Sequence, residues 1–117
     1  MGQRLLIVDD NAGFRRLARR LFESEGYEVV GAVETADEAL LAAAELVPDV
    51  VLLDVHLPDR SGFEVAARLA RDHPSAAVLL TSTHGRAEFD QLARGSGARG
   101  FVPKEELSGA EVARILG

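Results

Sequence analysis

The chain has no cysteine among its 117 residues, and it has no long apolar run. Without cysteine there can be no disulfide bonds, thiolate metal sites or cysteine nucleophiles, and the absence suits a reducing compartment. No run approaches the roughly 18 apolar residues of a membrane span, and no signal peptide is readable. A net charge of −6 disfavours binding of nucleic acid through a basic face. These absences predict a cytoplasmic protein with no membrane or direct nucleic-acid partner.

Two short apolar runs, 5–8 and 50–53, each end in acidic residues. Continuous apolar residues indicate strands covered on both faces, because half-exposed strands alternate apolar and polar residues. Asp9 and Asp10 follow the first run, and Asp54 follows the second. The carboxyl ends of parallel strands share one edge of a sheet, and ligands bind at that edge. We therefore expect the three carboxylates to lie close together.

The rest of the chain alternates helical and strand patterns, without an internal repeat or a linker. Capping-box signatures at Thr35 and Ser61 mark two helix starts. Further strands are predicted at 28–33, 76–82 and from 101, and helices at 14–25, 37–46, 61–73, 85–94 and 108–117. This alternation predicts one α/β domain, 1–117, with a doubly wound five-stranded parallel sheet and five helices on its two faces.

Three carboxylates at close range repel one another unless a proton or a cation lies between them. Magnesium prefers oxygen ligands and takes one or two carboxylates together with phosphate oxygens and waters. The acidic cluster therefore favours a Mg²⁺ site, with Mn²⁺ as an alternative ion. The other interpretation of the same residues is that they are helix caps and turn formers after strands.

Further residues follow the acidic ones in a fixed order: Pro58 and Gly62 after Asp54, Ser82 at the end of the fourth strand, and Lys104 after the fifth. In this order and at these spacings, the set resembles the response-regulator receiver domain of two-component signalling. The resemblance covers essentially the whole chain. It implies a flavodoxin-like sheet with strand order 2-1-3-4-5.

The resemblance also implies a role for each of these side chains. Asp54 would be the phosphoacceptor, whose carboxylate attacks a phosphoryl group to give an acyl phosphate. Lys104 would place a positive charge beside one phosphoryl oxygen, and Ser82 a hydroxyl donor beside another. The implied metal ligands are Asp9, Asp10, Asp54 and the backbone carbonyl of His56.

A conformational switch is the second implication of the resemblance. Phe101 lies where the family has an aromatic residue that turns inward when the hydroxyl corresponding to Ser82 moves toward phosphate. The other interpretation is that Phe101 is simply a core residue. Receivers pass the signal on through the surface from the fourth helix to the fifth helix.

The sequence departs from the family pattern around Lys104 and Ser82. Many receivers have Lys-Pro, often with a cis peptide, whereas here Pro103 precedes the lysine and Glu105 follows it, so the following bond should be trans. Thr83 stands where a small residue is usual. We hypothesise that the lifetime of the phosphate is set by His56, Thr83 and His84.

Partner contacts are implied for the first helix, where receivers usually dock the kinase. Arg15, Arg16 and Arg19 are candidates for that contact, and a solvated basic face is the alternative interpretation. The implied partners are a histidine kinase or a histidine phosphotransfer protein and a downstream protein. The predicted terminal helix is short, which suits a monomer or a weak, phosphorylation-dependent dimer.

The expected function is thus a phosphoacceptor switch, not an enzyme, with at most slow autodephosphorylation. One alternative is a degenerate receiver that binds partners without phosphorylation. A small Mg²⁺-dependent phosphatase of the haloacid-dehalogenase type is less favoured, because His56 occupies the place of the second aspartate that this class requires. A nucleotide-binding module is disfavoured because no glycine-rich loop follows the first strand.

Overall fold

Five parallel strands form one sheet, and helices cover both of its faces, in the computed structural model, which describes residues 2–83 and 95–116. The strands are β1 (Arg4–Val8), β2 (Glu28–Val33), β3 (Val50–Asp54), β4 (Ala77–Ser82) and β5 (Gly100–Pro103). The helices are α1 (Ala12–Ser24), α2 (Ala36–Leu46), α3 (Gly62–Asp72) and a C-terminal helix (Gly109–Leu116), with a 3₁₀ helix at Lys104–Glu106. The predicted helix at 85–94 lies outside the described residues. No helix in the described ranges has the length and apolarity needed to cross a membrane.

The strand order is β2-β1-β3-β4-β5, which confirms the order that the resemblance implied. β3 lies at the centre, between β1 and β4. Val8 pairs with Leu53, and Asp54 pairs with Thr81, so the three central strands end at the same level. β5 is an edge strand, which suits Pro103 because a missing N–H there breaks no ladder between two strands.

Alternate residues of the central strands point into two separate apolar clusters, one on each face of the sheet. The cluster beneath α2 and α3 contains Leu6, Val8, Val51 and Leu53, all buried. The cluster beneath α1 and the C-terminal helix contains residues of the same strands with the opposite parity: Leu5, Ile7, Val50 and Leu52. Burial on both faces explains why these strands are continuously apolar in sequence.

Both predicted N-caps of α2 and α3 are confirmed, but the capping boxes were wrong in detail. Thr35 Oγ1 accepts from the Glu38 N–H at 3.1 Å, while the Glu38 carboxylate accepts from the N–H of Glu34 instead of that of Thr35. Ser61 Oγ accepts from the Phe63 N–H at 3.1 Å, one residue earlier than the box requires. The next N–H instead donates to the Ser61 carbonyl, which explains the difference.

Candidate functional site

The acidic residues after β1 and at the end of β3 meet at the carboxyl edge of the sheet. Asp9 is fully buried, Asp54 is 4 % exposed, and Asp10 is exposed. One carboxylate oxygen from each residue lies within 4.8 Å of the others. The structure therefore brings together the three side chains that the sequence placed at this edge.

Backbone and side-chain hydrogen bonds fix the orientation of the two buried carboxylates. Asp9 Oδ1 accepts from the Asn11 N–H at 2.9 Å, and Asp54 Oδ1 accepts from the His56 N–H at 3.0 Å. The Arg15 guanidinium donates to the Asp9 carbonyl at 2.7 Å. Each carboxylate thus has one oxygen engaged by its own loop, while its Oδ2 faces the interior of the pocket.

Lys104 provides the positive charge between these two Oδ2 atoms. Its Nζ lies 2.7 Å from Asp9 Oδ2 and 3.4 Å from Asp54 Oδ2, and its side chain is 15 % exposed. The lysine opens the 3₁₀ helix directly after β5, and the described residues contain no cis peptide bond. The ammonium also lies over the Phe14 ring, 4.4 Å from its centroid.

The environment of Asp54 disfavours its ionised form. Burial raises the pKa of the Asp54 carboxyl, and the nearby negative charge of Asp9 raises it further. The hydrogen bond from the His56 N–H and the positive charge of Lys104 act in the opposite direction without cancelling this effect. Additional positive charge in the pocket would therefore stabilise the carboxylate.

The donor set fits a hard divalent cation. Asp9 Oδ2 is buried and accepts no hydrogen bond from the described part of the chain, although the Lys104 ammonium is near it. Oxygen ligands from two buried carboxylates and one exposed carboxylate suit an ion that keeps several waters. The pocket thus has a buried carboxylate oxygen that only the Lys104 ammonium approaches among the described residues, and it has a solvent-facing side.

Residues 5–115 match the family described as response regulator receiver domain. The chain belongs to this family. A putative transcriptional regulator of Pseudomonas aeruginosa is 38% identical over 103 residues, 88% of this chain and 50% of that protein. The chemotaxis protein CheY of Thermotoga maritima is 33% identical over 104 residues, 89% of this chain and 87% of that protein. The receiver domain thus spans half the length of the first relative and most of the second.

Solved structures show the same likeness. A LuxR-family two-component response regulator from Aurantimonas superposes with a TM-score of 0.88 at 32% identity, over 99% of this chain and 83% of that chain. The signal receiver domain of the putative response regulator NarL from Mycobacterium tuberculosis has a TM-score of 0.85 at 31% identity, over 98% and 93%. The fold is thus that of two-component receiver domains.

Four of the remaining residues predicted for the pocket and the switch lie in the described part of the chain: His56, Ser82, Thr83 and Phe101. Ser82 ends β4 and is fully buried, whereas the neighbouring Thr83 and His56 are exposed. Phe101 on β5 is 3 % exposed and packs in the cluster beneath α2 and α3. In this structure the aromatic side chain is therefore already inward. His84 lies outside the described residues.

The three arginines predicted to dock a kinase differ in their surroundings. Arg16 and Arg19 are exposed on α1, and Arg19 pairs with Glu23 one turn away. The Arg15 side chain is only 20 % exposed, because it reaches back to the Asp9 carbonyl. Sequence reasoning missed this internal contact, for which the helical pattern gave no signal.

Asp59 is a second residue that sequence reasoning missed. It lies in the loop between β3 and α3, and its carboxylate accepts from the N–H groups of Ala36 and Asp37 at 2.8 and 3.1 Å. The hydrogen bond from the Ala36 N–H is the main cause of a lowered pKa of the Asp59 carboxyl. The loop that follows Asp54 is therefore attached to the N-terminus of α2.

Replacing Asp59 with alanine should lower the melting temperature most at neutral pH. A lowered folded-state pKa means that the ionised carboxylate stabilises the fold above the unfolded-state pKa, and that this contribution is lost as the pH falls through the folded-state pKa. Thermal melts of the wild type and the variant from pH 7 to pH 3 should therefore show a difference in melting temperature that becomes smaller as the pH falls. Glu45→Ala, which removes an exposed charge from α2, is the control, and an equally narrowing gap there would contradict the assignment.

Proposed function

We propose that this receiver domain is a Mg²⁺-dependent phosphoacceptor switch loaded at Asp54 by a histidine kinase or a histidine phosphotransfer protein. The observation that carries the proposal is the nearly buried Asp54 carboxylate, whose Oδ2 faces the Lys104 ammonium at 3.4 Å within a cluster of three carboxylates. The domain acts as a signalling module, with at most slow autodephosphorylation. A downstream protein binds the surface predicted from the fourth helix, which lies outside the described residues, to the C-terminal helix. The domain is a monomer or a weak, phosphorylation-dependent dimer.

The chemistry assigned to the chain is a phosphoryl transfer to a carboxylate. An oxygen of Asp54 attacks phosphorus, the bond from phosphorus to the donor atom breaks with its electron pair, and an acyl phosphate remains. Lys104 stabilises the negative charge on a phosphoryl oxygen, and the buried Ser82 hydroxyl contacts another.

The metal site consists of the carboxylates of Asp9, Asp10 and Asp54 and the backbone carbonyl of His56. When bound there, Mg²⁺ neutralises charge on the carboxylates and on the phosphoryl group. A groove of about 570 Å³ lies beside this site and is lined by Asp10, the loop from Val55 to Ser61, and Phe63.

Regulation and docking are assigned to residues around this pocket. Ser82 and Phe101 form the switch pair on adjacent strands β4 and β5. The exposed Arg16 and Arg19 are better placed than Arg15 for a kinase contact, since Arg15 is engaged with the Asp9 carbonyl. The lifetime of the phosphate is set by His56, which lines the groove, together with Thr83 and with His84, which lies outside the described residues.

Acetyl phosphate with magnesium should add one phosphoryl group to the wild-type protein, and none to Asp54→Asn. Asparagine keeps an oxygen that can accept the His56 N–H but is not a nucleophile, so the variant should lose the reaction completely. Intact-mass spectrometry with and without magnesium measures this directly. The exposed Asp37→Asn on α2 is the matched control and should react like the wild type. A protein that gains no mass under any condition would contradict the proposal and indicate a module that binds partners without phosphorylation.

A further inference from the structure

The Lys104 ammonium is held between an aromatic ring and a carboxylate. Its Nζ lies 4.4 Å from the centroid of the Phe14 ring and 2.7 Å from Asp9 Oδ2. Among the described residues, Phe14 is the aromatic residue whose ring the ammonium contacts. A cation over a ring face is attracted by the ring quadrupole, and the attraction grows when water is partly excluded, as at this side chain, which is 15 % exposed.

The position of the Phe14 ring is fixed by the same loop that fixes Asp9. Asn11 Oδ1 accepts from the Phe14 N–H at 2.8 Å, and the Asn11 N–H donates to Asp9 Oδ1 at 2.9 Å. The Phe14 side chain packs against the cluster beneath α1 and the C-terminal helix. Asp9, Asn11, Phe14 and Lys104 therefore form a closed ring of contacts, in which the aromatic face and the carboxylate are set at a fixed separation.

The oxygen that the ammonium faces is also the oxygen that a divalent cation needs. Asp9 Oδ2 is buried, and its one partner among the described residues is the Lys104 ammonium at 2.7 Å. An ammonium and a metal ion cannot both bind closely to this oxygen, because their positive charges repel each other. Whatever stabilises the ammonium at Asp9 Oδ2 therefore weakens metal binding.

We infer that Phe14 is a positioning residue that holds the Lys104 ammonium on Asp9 and thereby sets the affinity of the acidic pocket for magnesium. The inference rests on the proposed function only in taking magnesium as the ion. It requires no phosphoryl transfer. In this arrangement the ring opposes ion binding, so its removal makes the pocket bind magnesium more tightly.

Titration calorimetry with MgCl₂ on the full chain tests the inference. Phe14→Leu keeps an apolar side chain but removes the π face, and it should lower the magnesium dissociation constant about fivefold, the order expected for a partly desolvated cation–π contact. Tyr27→Leu is the matched control, because Tyr27 is also a half-buried aromatic residue packed against the cluster beneath α1 and the C-terminal helix, but it precedes β2 at the opposite end of the strands from the pocket. An unchanged or higher dissociation constant in Phe14→Leu would overturn the inference.

Fluorinated phenylalanines at position 14 separate the electrostatic role of the ring from its volume. One, two and three fluorine atoms weaken the ring quadrupole stepwise with little change of shape, so the dissociation constant should fall stepwise. A ring that only fills space would show no trend. In a Lys104→Met background, Phe14→Leu should no longer change magnesium affinity, because the ammonium that it positions is absent.

A metal-free arm distinguishes failure of this inference from failure of the proposed function. Urea unfolding is measured with a chelator present. Phe14→Leu should raise the unfolding equilibrium constant by a factor about fivefold larger in the wild-type background than in the Lys104→Met background. A protein that bound no magnesium but showed this coupling would contradict the proposed cofactor and retain the Phe14–Lys104 contact. No coupling would overturn the contact itself, whatever the outcome of phosphorylation.

Discussion

Replacing Lys104 with methionine should destabilise the metal-free protein by about 3 kcal/mol, because it leaves the buried Asp9 carboxylate without its charge partner. The repulsion between Asp9 and Asp54 is then no longer offset by the ammonium. Methionine retains most of the apolar stem, so the loss reports on the charge. Urea denaturation in the presence of a chelator measures the effect.

Magnesium should restore much of that stability. The variant keeps all three carboxylates and has no ammonium to compete for Asp9 Oδ2, so ligand binding stabilises its folded state more than that of the wild type. Arg68→Met is the control, since Arg68 is 50 % exposed and its ion pair with Asp72 on α3 should contribute under about 1 kcal/mol. Equal losses in the two variants, or a loss that magnesium leaves unchanged, would show that Lys104 does not neutralise the pocket.

Gly62→Ala should destabilise the domain by about 2–3 kcal/mol, near the upper end of the usual overpacking effect. A Cβ at this position would lie 2.3 Å from the Asp54 carbonyl oxygen and 2.5 Å from Val55 Cα, and both are backbone atoms that no side-chain rotation can move. The Gly62 N–H also donates to the Val55 carbonyl at 2.8 Å. The start of α3 must therefore move away from the strand that carries Asp54.

Gly95→Ala is the matched control for this substitution. A Cβ on Gly95 would meet no atom of residues 2–83 and 95–116 within 4 Å, so the change should leave stability nearly unaltered or slightly increased. Phosphorylation by acetyl phosphate should be slowed in Gly62→Ala and unaffected in Gly95→Ala. Similar unfolding midpoints for the two variants would show that the close approach of α3 to β3 is dispensable.

The strands and the acidic edge could be predicted because their signals are local. The runs 5–8 and 50–53 are continuously apolar since both faces of the sheet are covered, and each ends at the edge where the acids lie. The start of α2 was predicted to within one residue from the N-cap at Thr35. The predicted order of the strands came from the family resemblance and is confirmed.

The contacts that surround the acids could not be predicted because they join residues whose proximity depends on the whole fold. Nothing in the spacing of Phe14 and Lys104 indicates that a helix near the N-terminus places a ring beneath an ammonium from the far edge of the sheet. Likewise, the sequence predicted only Thr35 as a cap for the N-terminus of α2. In the structure, the Asp59 carboxylate from another loop also accepts hydrogen bonds from two N–H groups of that helix. Such contacts leave no periodic trace in the sequence.

The central place of β3 has a consequence for the timescales on which the domain moves. Hydrogen-bonded on both sides and fully buried, β3 should have amide hydrogens that exchange with solvent only when the whole domain unfolds. The Asp54 backbone should thus belong to the slowest-exchanging part of the described residues, while Asp10 and the groove lie in loops, which should open more often. Under the proposed phosphorylation of Asp54, any rearrangement should therefore occur in those surrounding segments, while the Asp54 backbone stays in place.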